Sequence, residues 1–315
     1  MIEEKISESK NTDKKNSSEY NLKPTDTKSI LSRFKDFKYE PSFCVPTGFK
    51  QFDGFLKGGF PDGLHILSAK PSKGKTTLCT QMADQGAQSG IDVLYISLEM
   101  NPQKLISQSI SRHLYLKYGE QTTSTSTGKH YLAKSAYDIR THRYADSYSS
   151  KEKEAIENAI SEYEQYCSRI TYYDREIISR KNKGYEGFKH TLANYAKTHE
   201  RFLVIIDYIQ ILSFIVNDRV SDKQRIDEAV YNLKDFSYKF GVPVLAISSS
   251  NRNSYDDEGS MQAFNGSSSL DFTADSLFYL QNAGMDFSTE DKSEIKRKAR
   301  TQILENSIMM LYNKT

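Results

Sequence analysis

The residues best equipped for chemistry are gathered in Ala69-Lys-Pro-Ser-Lys-Gly-Lys-Thr76. A loop of this composition lets successive backbone N–H groups and a following helix N-terminus converge on an anion. The Lys75 ammonium can then reach the β- and γ-phosphates of a nucleotide, and the Thr76 hydroxyl can hold Mg²⁺. The flanks fit that use: the apolar run Leu64–Ser68 reads as a buried strand entering the loop, and Thr77–Ala83 can continue as a helix. Ala69, Pro71, Ser72, Lys73, Gly74, Lys75, Thr76 and Thr77 are therefore the expected phosphate-binding set, with Thr76 shared with the metal. The usual pattern begins with Gly where this chain has Ala69, and taken alone the string also reads as a Gly/Ser/Lys turn joining strand to helix.

Two carboxylates extend the site. Asp207 closes the apolar strand Phe202–Ile206, expected to lie beside the strand that feeds the loop. By itself it reads as a strand-end cap; downstream of a phosphate loop it reads as the second Mg²⁺-linked group. Glu99, just past the strand Val93–Ser97, can polarise the water that attacks a γ-phosphate, although spacing alone equally allows a solvated glutamate ahead of a helix. Ser249, within Ser248-Ser-Ser-Asn-Arg252, follows another strand and is placed to sense the γ-phosphate, or belongs to an ordinary polar loop.

The elements that must position these groups alternate along the chain. Strands are expected at Val93–Ser97, Ile170–Tyr173, Phe202–Ile206, Val242–Ile247, Ser276–Leu280 and Ile308–Leu311. Helices are expected at Ser149–Cys167, which opens with a Ser149/Glu152 capping box, at Tyr185–Lys197 and at Asp222–Phe240, stopped by Gly241. Apolar strands separated by helices imply an α/β fold with a mainly parallel, twisted sheet covered on both faces. Ligands in such sheets sit at the carboxyl ends of the strands, where the residues above fall.

The chain has 315 residues, with 43 Lys+Arg against 41 Asp+Glu, so overall charge does not argue for nucleic acid. Cys44, Cys79 and Cys167 lack C-x-x-C spacing, which argues against a zinc site or disulfide framework and for small buried side chains. With no long apolar run and no signal-type N-terminus, no membrane partner is expected and a cytoplasmic location is. Residues 1–25, rich in Lys, Glu, Ser and Asn, read as a disordered tail. Residues 26–45 read as a linker whose Asp26–Phe37 part is a short amphipathic helix with Ile30, Leu31, Phe34 and Phe37 on one face. Residues 46–315 form the α/β domain. The basic cluster Lys292, Lys296, Arg297, Lys298 and Arg300 reads as a solvated turn.

Taken together, these strings resemble the RecA-like C-terminal motor domain of DnaB-type replicative DNA helicases. The matching segments are Thr47-Gly48 with Asp53, Gly58-Gly59, Ala69–Thr76, Ser97-Leu-Glu-Met100, Asp207-Tyr-Ile-Gln210, Val242-Pro-Val and Asn251-Arg252, with Asp138–Arg143 weaker. The resemblance spans about residues 46–314, and that family also carries Ala ahead of the loop. It implies a RecA-like P-loop NTPase that binds ATP and Mg²⁺, with Lys75 and Thr76 on phosphate and metal, Glu99 as general base and Asp207 as metal-linked carboxylate. It further implies a homo-oligomeric, usually six-membered ring around single-stranded DNA, with a DNA-contacting loop near Ser267–Leu270. Primase and a helicase loader are the further partners it suggests. Lys314 takes the place of the finger that reaches a neighbour's nucleotide. Three departures stand out: Ser249 where the family has Gln, Lys314 where it has Arg, and an end at Thr315 before a further strand. They leave room for a RecA-like ATP-binding assembly or regulatory protein that no longer unwinds DNA.

Overall fold

The computed structural model of the chain describes residues 26–35, 43–125, 128–143, 145–175, 185–216, 221–249, 272–280 and 309–313. The chain divides into two compact units, Met1–Pro41 and Ser42–Thr315. The first contains the helix Thr27–Lys35, started by Asp26, whose Oδ1 accepts the Lys28 N–H at 3.1 Å. Of its expected apolar face only the Leu31 side chain is described, and it is exposed; Phe37 and the side chains of Ile30 and Phe34 lie outside the described residues.

The second unit is built on strands β1 (Cys44–Val45), β2 (Phe60–Pro61), β3 (Gly63–Ala69), β4 (Asp92–Ser97), β5 (Thr122–Thr125), β6 (Gly128–Tyr131), β7 (Ile170–Asp174), β8 (Phe202–Asp207), β9 (Pro243–Ser249), β10 (Ser276–Leu280) and β11 (Met309–Asn313). Seven form one sheet in the order β11-β10-β3-β9-β8-β4-β7. From β10 to β7 every pairing is parallel, and β11 closes one edge antiparallel to β10. The remaining strands make two small antiparallel ribbons, β1-β2 and β5-β6. Here Gly59 is obligatory: its φ is +132°, and a Cβ would fall 2.1 Å from the Val45 carbonyl oxygen.

Period-two alternation inside the strands gives the sheet two apolar faces. Leu64, Ile66, Val204, Ile206 and Val244 pack with Phe188 and Leu192 of the helix Tyr185–Ala196 and with Val230 and Leu233 of the helix Asp222–Phe240. Leu67, Tyr95, Leu203, Ile205 and Leu245 face the helices Lys75–Gln88, Pro102–Tyr118 and Ser150–Glu164 through Met82, Leu105 and Ala159. The parallel sheet with helices on both faces is the expected α/β architecture.

Three expectations need correction. Asp207 does not end a strand next to the loop-bearing β3: β9 lies between β3 and β8, so the two are separated by roughly 10 Å. The helix opened by Ser149 stops at Glu164, and Cys167 begins a short 3₁₀ turn that leads into β7. Of the cysteines only Cys79 is buried; Cys44 and Cys167 are half-buried. The expected N-terminal tail, the Ser267–Leu270 loop, Asn251-Arg252, the Lys292–Arg300 cluster and Lys314 lie outside the described residues. Among the described residues no helix is long and apolar enough to cross a membrane.

Candidate active site

β3 runs into the loop at Ala69, and the chain turns through Ser72 (φ +60°) and Gly74 (φ +88°) before the helix starts at Lys75. At Gly74 there is open space for a Cβ, so the left-handed backbone, not crowding, is what calls for glycine. The Lys75 Nζ donates to the carbonyls of Ala69 at 2.9 Å and Lys70 at 3.3 Å, which lays the side chain back across the loop. Burial lowers the Lys75 pKa, and the carboxylates of Asp207 and Glu99 pull it back up. The first-turn helix geometry is fixed by the Thr80 hydroxyl, which donates to the Thr76 carbonyl at 2.8 Å.

The two carboxylates come in from β8 and β4, whose tips are held together. Ser97 pairs with Asp207, and the Leu98 N–H donates to the Asp207 carbonyl at 2.7 Å. Beyond Ser97 the chain turns through Glu99 into the helix Pro102–Tyr118, with Asn101 capping Lys104 N–H at 3.1 Å and Pro102 in the first turn. Glu99 is exposed, and its charge is felt by Lys75, Asp207 and Tyr208. It therefore shares one electrostatic space with the loop lysine and the strand-tip aspartate.

Asp207 is only 1% exposed. Burial pushes its carboxyl up to about 6; Glu99 adds to the shift, while the Thr76 and Tyr95 hydroxyls and the Lys75 ammonium oppose it. The Tyr95 hydroxyl donates to Oδ2 at 3.4 Å, and Oδ1 is buried with no hydrogen-bond partner. An ionised carboxylate left in that condition costs free energy unless a cation answers it. Thr76 and Asp207 present hard oxygen donors of the kind that suit Mg²⁺, so the residues present fit such an ion.

The structure thus brings Lys75, Thr76, Glu99 and Asp207 together at the carboxyl ends of β3, β4 and β8. The backbone of Ser249 pairs with Ala69, at the mouth of the loop, while its side chain lies outside the described residues. The Thr47-Gly48 and Asp53 string has a folding role. Asp53 Oδ1 accepts from the Thr47 N–H at 2.7 Å and hydroxyl at 2.6 Å, and Oδ2 accepts from the Gly48 N–H at 3.0 Å, clamping the turn before the helix Lys50–Phe55.

Two residues were given no role by the sequence alone. Tyr95 is a wholly buried phenol in an aliphatic strand, and its polar atom was the one available signal. Gln210 donates its amide to the Ser248 hydroxyl at 2.9 Å, a pairing that only the strand order reveals.

The family described as DnaB-like helicase C terminal domain matches residues 44–309. The replicative DNA helicase DnaB of Mycoplasma genitalium is 22% identical over 279 residues, which cover 86% of this chain and 52% of the relative. That of Helicobacter pylori is 24% identical over 211 residues, covering 66% and 37%. The chain spans about half, or less, of the length of these curated relatives. Among solved structures, an ATPase domain aligns with TM-score 0.62 at 19% identity, covering 86% of this chain and 88% of that one. A DnaB-like replicative helicase, described with its interactions with primase, aligns with TM-score 0.63 at 18% identity, covering 86% and 60%. The shared fold is the RecA-like α/β fold.

Proposed function

Because the chain belongs to the DnaB-like helicase C-terminal domain family, we propose that it is the motor of a replicative DNA helicase, hydrolysing ATP to move along single-stranded DNA. The observation that carries this reading is the convergence of Lys75, Asp207 and Glu99 in one electrostatic space at the strand tips. In the proposed cycle the backbone N–H groups of Lys73 to Thr77 hold the phosphates. Lys75 leaves the Ala69 and Lys70 carbonyls and turns its ammonium to the β- and γ-oxygens, where charge grows as the bond to the γ-phosphorus breaks. Thr76 and Asp207 would hold Mg²⁺, which when bound neutralises charge on the β- and γ-phosphates. Glu99, exposed just beyond the tip of β4, orients the attacking water and takes its proton.

The assembly is proposed to be a homo-oligomeric ring, six-membered as the resemblance implies, with Lys314 reaching a neighbour's nucleotide. Primase is a proposed partner on the strength of the solved relative described with it. The deciding experiment is a forked-duplex unwinding assay with and without Mg-ATP, run beside ATP turnover in the presence and absence of single-stranded DNA at low salt, where phosphate contacts are strongest. Strand separation that needs Mg-ATP, with DNA-accelerated turnover, is the expected result. Turnover indifferent to DNA, with no strand separation, would replace the helicase by an ATP-binding assembly protein of the same fold.

A further inference from the structure

The Asp207-Tyr-Ile-Gln210 string contains one residue that the proposed chemistry leaves unused. We propose that Gln210 is a positioning residue that fixes Asp207 by fastening the end of β8 to the tip of β9. The inference rests on the nucleotide-site reading and deepens it.

Asp207 has unequal support on its two sides. Toward β4 the ladder continues to the strand end, with Ser97 opposite Asp207 and the Leu98 N–H on the Asp207 carbonyl at 2.7 Å. Toward β9 the paired register ends at Ile206 opposite Ala246, so no residue of β9 stands in register opposite Asp207. β9 nevertheless runs on to Ser249, paired with β3 through Ser248 opposite Ser68 and Ser249 opposite Ala69. The tip of β9 thus follows the phosphate loop, while the tip of β8 parts from it. The amide of Gln210, 2.9 Å from the buried Ser248 hydroxyl, spans that gap. Ile209 and Leu212 are wholly buried in the core, so the turn bearing Gln210 is anchored from below and transmits little slack to Asp207. The link therefore sets the spacing between a carboxylate meant for the ion and the strand that carries the loop's register. Groups hydrogen-bonded directly to a metal ligand commonly change metal affinity by about 10–100-fold when lost; Gln210 acts on Asp207 through the backbone, so its loss belongs at the low end of that range.

The test uses the full chain and a fluorescent N-methylanthraniloyl-ADP probe, titrated with Mg²⁺ and separately bound in EDTA. Gln210→Met keeps the side chain's volume without its amide, and Ser248→Ala removes the other half of the bond. Each is expected to raise the Mg²⁺ concentration for half-maximal response about tenfold while leaving probe binding in EDTA unchanged. The double variant should be no worse than either single one, since both remove the same interaction. Thermal midpoints followed by circular dichroism guard against misfolding of one variant, with the other carrying the test. Unchanged Mg²⁺ dependence, strictly additive losses, or an equal loss of binding in EDTA would each overturn the positioning role. Wild-type chain that fails to bind the probe even with Mg²⁺ would instead overturn the nucleotide-site reading, and this inference with it.

Discussion

Asp84 and Asp207 are both almost completely buried, at 0% and 1% exposure, yet the fold treats them differently. Asp84, on the helix Lys75–Gln88, accepts from the Ser109 hydroxyl at 2.7 Å and from Arg112 at 2.5 Å. Burial raises its pKa, and the Arg112 guanidinium, then Ser109, pull it back. Asp207 receives a long hydrogen bond from Tyr95 at 3.4 Å and is eased by the Thr76 hydroxyl, yet burial still pushes its carboxyl up to about 6. One carboxylate has its counter-charge supplied by the chain and locks two helices together. The other has no basic side chain hydrogen-bonded to it among the described residues, although each leaves its Oδ1 buried without a hydrogen-bond partner. A buried acid with no basic group hydrogen-bonded to it is a better guide to function than a buried acid held by one.

That contrast can be broken at either end. Lys75→Ala strikes the functional side, and ATP turnover measured by phosphate release should fall by about 10²–10³-fold with the thermal midpoint held. Turnover at the wild-type rate would remove Lys75 from the chemistry. Asp84→Ala strikes the structural side by leaving Arg112 without its counter-charge. Urea unfolding should show a loss of about 3 kcal/mol, the low end of the range for a broken buried pair, because the Arg112 side chain is 20% exposed. Nucleotide affinity of the folded variant should stay unchanged; a selective loss of nucleotide binding without destabilisation would show that Asp84 serves the nucleotide site instead.

A pH series sharpens the comparison. The folded-state pKa of Asp207, about 6, lies above its ordinary 3.8, so folding favours the protonated form. The associated stability is fully present below pH 3.8 and is lost as pH rises through 6. Asp207→Asn should therefore stabilise the chain, by about 2 kcal/mol more at pH 7.5 than at pH 4.5. Adding Mg²⁺ and nucleotide at pH 7.5 should raise the wild-type melting temperature more than the variant's. Equal gains at both pH values would show that Asp207 is ionised in fold and unfolded chain alike.

The smallest effect concerns a third buried acid, Glu152. Burial would raise its pKa, but hydrogen bonds from Lys134 and from the Ser149 N–H and hydroxyl outweigh it and hold it below the usual range. Ser149→Ala removes one of these donors and a helix cap, for an expected loss of about 1 kcal/mol with no change in turnover. A change in turnover exceeding the stability loss would mean that this helix communicates with the strand tips.

Much of the site was readable because it is written locally. The phosphate loop, the strands β3, β4, β8 and β10, and the helix Asp222–Phe240 carry their own periodicity, caps and stops, and the Ser149/Glu152 box forms as read. The missed elements lack such signals. Ile209–Val216 is almost wholly apolar and has no period to separate helix from strand. The β5-β6 ribbon, Thr- and Ser-rich in its first strand and Gly-Lys-His-Tyr in its second, has little apolar alternation. Strand order was misread at β8 because which strand lies beside which is decided by packing between distant segments. For the same reason the Gln210–Ser248 bond, joining residues 38 apart, was invisible.

The interposed β9 also bears on how the domain is assembled. β3 is the first strand of the large sheet to be synthesised, yet its neighbours are β9 and β10, with Leu64 aligned to Val244 and His65 to Ser276. Closing so wide a loop carries an entropic penalty and slows pairing. A ribosome that has emitted only the first two-thirds of this polypeptide has released β3 and the Ala69–Thr76 loop but neither of the strands that flank β3, so the candidate site is completed late in synthesis.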